Sequence, residues 1–87
     1  MPWLLIYAPR AVRDLKKLPR DARIRIVAAL EDLAGREEPE THAKHLQNSP
    51  LYSLRVGRYR VILDIQRKKI VIFILRAGIH ISVYDRL

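Results

Sequence analysis

The sequence contains no cysteine. Disulfide bonds and zinc sites built on thiolates are therefore excluded, and the absence is typical of proteins that work in a reducing cytoplasm. The chain also lacks any apolar run near the roughly 20 residues that a membrane-spanning helix needs. Its first letters, MPWLLIYAPR, hold too short an apolar run for a signal peptide and no basic stretch before it. We expect a cytoplasmic protein with no membrane partner.

Acidic residues are also scarce. Nine Asp and Glu residues stand against 17 Lys and Arg residues, which gives a net charge of +8 and an isoelectric point near 10.5. This balance indicates an anionic partner such as nucleic acid, the ribosome, an anionic membrane or an acidic protein. The hydrophobic residues, 49% of the 87, fall in periodic runs, so we expect one globular domain over residues 1–87.

Apolar periodicity predicts an α+β fold, in which an N-terminal strand precedes an antiparallel helical hairpin and a mostly antiparallel, twisted sheet of three to four strands. Pro9 ends the first strand, Pro19 separates the helices, and Gly35 ends the second helix. The predicted strands are Trp3–Ala8, Leu51–Val56, Tyr59–Ile65, Lys69–Leu75 and Ile79–Tyr84, and the predicted helices are Arg10–Leu18 and Arg20–Ala34.

Three finer expectations accompany these elements. Val12, Leu15 and Leu18 should lie on the buried face of the first helix because they are three apart. The segment Arg36–Pro50 is a polar loop whose HAKHL letters form a turn or an edge segment. The pair Ala77-Gly78 should separate the last two strands.

The letters YSLRVGRYRVILDI predict a β-hairpin with an unusual concentration of positive charge. Gly57-Arg58 fits a two-residue type II′ turn, which would place Arg55 directly across from Arg60. Like charges in that position destabilise a hairpin unless an anion lies between them. Alternation along the strands puts both arginines on the face opposite the core, where His80 and Tyr84 of the last predicted strand join them if the polar faces coincide.

These residues resemble the RelE/ParE toxin superfamily of prokaryotic toxin–antitoxin modules. The matching letters are LIYAPRAVRDLKKLPRDARIRIVAALEDLAG, LYSLRVGRYRVILDI and IVIFILRAGIHISVY, which together cover almost the whole chain. The resemblance implies a RelE-like fold and, for the RelE branch, cleavage of mRNA in the ribosomal A site without a metal. Members of the ParE branch act on DNA gyrase instead. An acidic, partly disordered antitoxin silences the toxin in both branches.

The resemblance also implies roles for single residues. Arg55 and Arg60 fall at two basic catalytic positions of the RelE branch, and Tyr84 falls at its C-terminal tyrosine. His80 stands where many members carry a catalytic arginine, and Ser53 stands where some members carry a further lysine. The implied catalytic set is therefore Arg60, Arg55, Tyr84 and His80, with no cofactor and no metal.

Chemistry supports such a set. RNA can be cut by its own 2′-OH, which needs a base, positive charge around the phosphoryl oxygens and an acid at the leaving oxygen. Guanidinium groups suit the second task because they bind phosphate in a bidentate manner and stay charged. A histidine, with its ordinary pKa of about 6.5, suits the role of acid, which we assign to His80. Tyr84 would act as the base or stack on a nucleobase.

Other basic residues are candidates for RNA binding, namely Arg58, Lys44, Arg13, Lys16 and Lys17. For Arg58, at the tip of the turn, a solvated position is an equal alternative. For Arg13, Lys16 and Lys17 a solvated helix face is the first expectation, and contact with ribosomal RNA or with the antitoxin is the second. The expected partners are a cognate acidic, RelB-like antitoxin, with which a toxin–antitoxin heterotetramer can form, and the ribosome with its mRNA. Two alternative functions stay open: a ParE-like toxin that acts on DNA gyrase, and a catalytically weakened module that binds RNA or its antitoxin.

Overall fold

The computed structural model describes residues 2–79, and it confirms the predicted α+β class. The strands are β1 (Leu4–Tyr7), β2 (Lys44–His45), β3 (Tyr52–Val56), β4 (Tyr59–Gln66) and β5 (Val71–Ile79). The α-helices are α1 (Pro9–Lys16) and α2 (Arg20–Ala34), and a short 3₁₀ helix covers Pro39–His42. Within the described residues, no helix has the length and apolar character needed to cross a membrane.

The strands form one mixed sheet with the order β1-β5-β4-β3-β2. β1 runs parallel to β5, and the other neighbouring strands are antiparallel. The N-terminal strand and the last described strand therefore lie side by side. This arrangement makes β5 an interior strand with buried side chains on both faces, as its apolar IVIFIL letters predict.

Prolines set where the helices begin. Pro9 occupies the first turn of α1, where its missing N–H leaves no hydrogen bond unmade, so the helix begins one residue before the predicted start. Pro19 is the N-cap of α2, and this helix has the predicted bounds. Gly35 follows as its C-cap, with its backbone N–H bonded back to Glu31 and Asp32 carbonyls.

The helices cover one face of the sheet. Their buried side chains, such as Ile26 and Leu30, join Leu63 and Ile74 from the sheet in one apolar cluster. The prediction for α1 is partly wrong, because Val12 is 36% exposed and Ala11 lies beside Leu15 in the core. Ala11 and Leu15 are four apart, so they form the stripe that faces β5, and the small alanine lets this short helix lie close to the strand.

The predicted break at Ala77-Gly78 is wrong. β5 continues through both residues to Ile79, and the rest of the last predicted strand lies outside the described residues. Pairing with β4 explains the continuity, because Ala77 pairs with Val61 and Gly78 pairs with Arg60. A β-bulge precedes these pairs: Ile62 pairs with Arg76 but Leu63 pairs with Ile74, so β5 carries one extra residue between them.

Asp14 of α1 takes the place of β1 as a hydrogen-bond partner for β5 beyond the point where β1 ends. The Ala8 N–H donates to the Ile74 carbonyl at 2.9 Å, and further along the strand the Ala77 N–H donates to the Asp14 carboxylate at 3.0 Å. Arg76 Nε donates to the same carboxylate at 2.8 Å. Burial opposes ionisation of Asp14, but these hydrogen bonds outweigh it and hold the pKa of its carboxyl below the ordinary value.

Candidate nucleic-acid interface

The β3–β4 hairpin has the predicted register. Arg55 pairs with Arg60, and Val56 pairs with Tyr59 next to the turn. Gly57 has φ of 59°, which a first central residue of a type II′ turn requires, whereas Arg58 has no positive φ. Tyr59 is buried and Val56 packs against the core, so these two side chains anchor the hairpin end. The paired arginines consequently occupy fixed positions on the face opposite the helices.

The two paired arginines lean in opposite directions along the hairpin. Arg55 is exposed, and its Nε donates to the Gly57 carbonyl at 3.2 Å, toward the turn. Arg60 is half-buried, and its Nη1 donates to the Ser53 hydroxyl at 3.5 Å, away from the turn. Divergence of this kind lowers the repulsion between two like charges that share a cross-strand pair. It also leaves two guanidinium groups that an extended polyanion can contact together.

Carboxylates pair with arginines elsewhere in the described part of the chain. The ion pairs within residues 2–79 join Arg36 to Asp32, Arg67 to Glu40 and Arg76 to Asp14. None of these pairs involves Arg55. Asp64, on the same face of β4, instead accepts a hydrogen bond from Gln66 Nε2 at 2.8 Å. The fold thus supplies no carboxylate for Arg55 among the residues that the structure describes.

Arg25 of α2 is a basic residue near the hairpin that sequence patterns did not single out. A Cβ built on Gly57 would lie 3.8 Å from Arg25 Nη1, so this exposed side chain reaches the turn. Arg58, the predicted RNA-binding residue at the turn, is also exposed. The two positive charges near the tip come from segments that are distant in sequence, which is why periodicity alone gives no signal for Arg25.

Lys44 lies on the edge strand β2, the segment predicted as a turn or an edge. It pairs with Ser53 of β3, and it is exposed. Because directly paired residues share a face, Lys44 lies on the same face as Arg55 and Arg60. The structure therefore brings together three of the basic residues that the sequence predicts.

The helical residues Arg13, Lys16 and Lys17 form a separate surface. All three are exposed, on α1 or at its C-cap, in the layer that packs on the other face of the sheet. They do not join the hairpin arginines. Positive charge is thus presented on both sides of the molecule, which suits a partner that surrounds the protein more than one that touches a single patch.

His80 and Tyr84, the predicted acid and the predicted base or stacking group, lie outside the described residues. Their roles remain predictions from the sequence. The strand that leads toward them is described to Ile79, and Gly78 on it pairs with Arg60. The described part of β5 therefore ends beside the turn end of the β3–β4 hairpin.

One family profile and several solved structures are similar to the chain. The profile described as ParE toxin of type II toxin–antitoxin system, parDE, matches residues 5–80. A chain in the toxin–antitoxin complex RelBE2 from Mycobacterium tuberculosis is 30% identical, with a TM-score of 0.81 over 92% of this chain and 100% of that chain.

Two further structures come from an archaeon and a bacterium. A chain of the archaeal RelE–RelB complex from Pyrococcus horikoshii is 27% identical, with a TM-score of 0.75 over 91% of this chain and 96% of that chain. A double arginine-to-alanine mutant of E. coli RelE in the free state shares the fold at 24% identity, with a TM-score of 0.79 over 98% and 93% of the two chains. No curated protein matches the sequence at a significant level.

Proposed function

The chain belongs to the RelE/ParE superfamily of toxins, and we propose that it is a ribosome-dependent endoribonuclease that cleaves mRNA in the ribosomal A site and so inhibits translation. In this reaction the 2′-OH of the RNA attacks the adjacent phosphorus. The bond from phosphorus to the 5′ oxygen of the next nucleotide breaks. The products are a 2′,3′-cyclic phosphate and a free 5′-OH.

Arg55 and Arg60 stabilise the negative charge that develops on the phosphoryl oxygens. The observation that carries this role is their cross-strand pairing on the face opposite the core, with no carboxylate paired to Arg55 among the described residues. Two like charges in that position raise the energy of the free hairpin, and a bound phosphodiester lowers it again. His80 then protonates the leaving oxygen, and Tyr84 takes the proton of the 2′-OH or stacks on the adjacent base.

Positioning of the RNA is the task that we assign to the ribosome. A bound mRNA held in the A site converts the attack into a reaction between pre-oriented groups. The exposed helical residues Arg13, Lys16 and Lys17 suit contacts with ribosomal RNA, because they lie on a different surface from the hairpin. Lys44 and Arg58 suit contacts with the mRNA itself.

The cognate partner in this proposal is an acidic, RelB-like antitoxin. Several structural neighbours are RelB–RelE or RelBE complexes, among them those from Pyrococcus horikoshii, Methanococcus jannaschii and E. coli. A net charge of +8 favours an acidic chain as the inhibitor, and a heterotetramer of two toxins and two antitoxins is the assembly that we expect. The complex would form in the cytoplasm and would need no cofactor.

A second candidate function is inhibition of DNA gyrase. The observation that favours it is the matched family profile, whose description names ParE. The two functions make different demands on the hairpin, because a toxin that blocks gyrase needs no phosphodiester chemistry at Arg60.

Cell-free translation with mapping of mRNA 5′ ends tests the proposal. The wild-type protein should produce cuts phased with codons, and Arg60→Ala should lower the cutting rate about 100-fold or more, as loss of a charge-stabilising donor does. Arg36→Ala is the control for loss of an arginine elsewhere, because Arg36 is exposed and pairs with Asp32 of α2. Tyr84→Phe separates two roles: a lost rate assigns proton transfer to the hydroxyl, and a kept rate assigns stacking.

Other outcomes would contradict the proposal. Full cutting by Arg60→Ala means that the site is wrong. Intact mRNA together with inhibited DNA supercoiling by gyrase supports the second function. Intact mRNA, active gyrase and retained RNA or antitoxin binding support the weakened module.

A further inference from the structure

Lys44 is fixed on the outer face of the sheet by two observations. Its backbone pairs with Ser53, and the next residue, His45, pairs with Tyr52. The rings of His45 and Tyr52 stack with centroids 4.7 Å apart, and Tyr52 packs against the core on the helix side. Since neighbouring residues of a strand point to opposite faces, the Lys44 side chain must point away from the helices.

Ser53 links this lysine to the arginine pair. It is only 2% exposed, and its hydroxyl accepts the hydrogen bond from Arg60 Nη1 at 3.5 Å. Lys44 lies across from Ser53 on one side, and Arg60 reaches Ser53 from the strand on the other side. Directly paired residues have Cα atoms about 5 Å apart, a distance that the long, flexible lysine side chain spans with ease.

Ser53 is uncharged, so β3 itself supplies no positive charge at this position. Among the described residues, Lys44 takes part in none of the ion pairs, and it is exposed. An exposed, unpaired ammonium beside a held guanidinium is a combination that binds phosphate, the guanidinium as a planar fork and the ammonium as a compact charge.

We propose that Lys44 contacts the same phosphodiester as Arg60 and supplies the positive charge that β3 lacks at Ser53. The positive charge then comes from Lys44 on the edge strand β2, which pairs with Ser53 of β3. The three basic residues of the site, Lys44, Arg55 and Arg60, come from three adjacent strands. The inference rests on the proposed cleavage of mRNA. It assigns Lys44 an electrostatic role at the reacting phosphate, beyond general attraction to RNA.

The competing explanation is that Lys44 protects the sheet edge. Lysine on an edge strand discourages pairing with another chain, and such a residue need not touch a ligand. A lysine that only keeps the edge soluble should affect aggregation and should leave both the cleavage rate and the number of phosphate contacts unchanged.

Three variants test the proposal by kinetics in cell-free translation. Lys44→Gln should lower kcat for cleavage about 10- to 100-fold with a smaller change in KM, because the interaction is strongest with the charge of the transition state. Lys44→Arg should keep most of the rate. Lys68→Gln is the matched control, since it removes an exposed lysine from the β4–β5 turn, outside the paired strands that carry Lys44, Arg55 and Arg60, and it should match the wild type.

A binding measurement judges the proposal even if the protein cuts no mRNA. The probe is a short, 2′-O-methylated single-stranded RNA, whose affinity is followed as a function of salt concentration. Loss of one phosphate contact should reduce the slope of log K against log salt by about 0.7 in Lys44→Gln and not in Lys68→Gln. Equal slopes for these two variants, or a wild-type cleavage rate in Lys44→Gln, would overturn the role of Lys44, whereas failure of the wild type to cut would overturn only the nuclease function.

Discussion

Two regions of the sheet use arginine in opposite ways. On β5, Arg76 is 9% exposed and donates to the Asp14 carboxylate, which also accepts the Ala77 N–H. On the β3–β4 hairpin, exposed Arg55 faces Arg60, and Arg55 pairs with no carboxylate in the described part of the chain. In the first region the fold itself supplies the counter-charge. In the second the described residues supply no carboxylate for Arg55, which leaves this guanidinium group open to an anionic ligand.

The largest change in stability is expected at the buried Asp14–Arg76 pair. Asp14→Asn should lower the free energy of unfolding by about 3 kcal/mol, because it leaves the Arg76 guanidinium buried without its counter-charge. One nitrogen of that group, Nη1, already lacks a hydrogen-bond partner, so the site has little capacity to compensate. Urea unfolding followed by circular dichroism measures the change.

A double variant separates loss of charge from loss of packing. In Asp14→Asn/Arg76→Met the asparagine carbonyl still accepts the Ala77 N–H, and no buried charge remains. Much of the lost stability should return, since a buried ion pair can often be replaced by neutral groups of similar volume. A single Asp14→Asn variant that loses less than about 1 kcal/mol, the value of a surface pair, would show that the two regions do not differ as described.

Low pH should reduce the stabilisation that the Asp14–Arg76 pair provides. The pKa of Asp14 lies below its usual value of 3.8 in the folded protein, so the pair contributes its full stabilisation above about pH 4 and loses it as the pH falls through the lower folded value. The wild type should therefore lose more stability than Asp14→Asn when urea unfolding is repeated between about pH 5 and pH 2. Parallel curves for the two proteins would contradict this origin of the acid sensitivity.

The hairpin could be predicted from local sequence and the buried pair could not. Gly57-Arg58 fixes the turn, and the turn fixes the register, so the opposition of Arg55 and Arg60 follows from a few adjacent letters. Arg76 and Asp14 are 62 positions apart, and no local pattern brings them together. Asp14 acts by capping the edge of β5, a role that depends on where β1 ends in three dimensions.

The misassigned break at Ala77-Gly78 and the segment left open as a turn or an edge have the same physical origin. Ala77-Gly78 has the composition of a turn, but pairing with β4 keeps it in a strand. The two-residue strand β2 exists because β3 offers it a partner, and its own letters have little strand propensity. Tertiary pairing thus decides the elements on which local preference is weak, and it brings Lys44 to the predicted arginine site.

Loss of a charge in the hairpin should raise the free energy of unfolding, whereas loss of a charge in the buried Asp14–Arg76 pair should lower it. Arg55→Thr removes one of two opposed cations and puts a β-branched residue in a strand, so the free energy of unfolding should rise by about 0.5 kcal/mol. Cleavage should fall in the same variant, because the phosphodiester loses a contact. Arg55→Lys keeps the charge and is the control for stability; a stability gain in that variant would mean that repulsion is not the cause.

The smallest change in stability is expected at the Arg67–Glu40 ion pair, whose arginine is exposed to solvent. Arg67 donates two hydrogen bonds of 2.7 Å to Glu40, and these bonds hold the pKa of the Glu40 carboxyl below its ordinary value, but the Arg67 side chain is 55% exposed. Water screens such a pair, so Glu40→Gln should move the urea midpoint far less than Asp14→Asn does. Glu37→Gln controls for loss of an acidic residue in the same segment. Equal shifts from Glu40→Gln and Asp14→Asn would show that the hydrogen bonds determine the stabilisation, and that exclusion of water around Arg76 adds nothing to it.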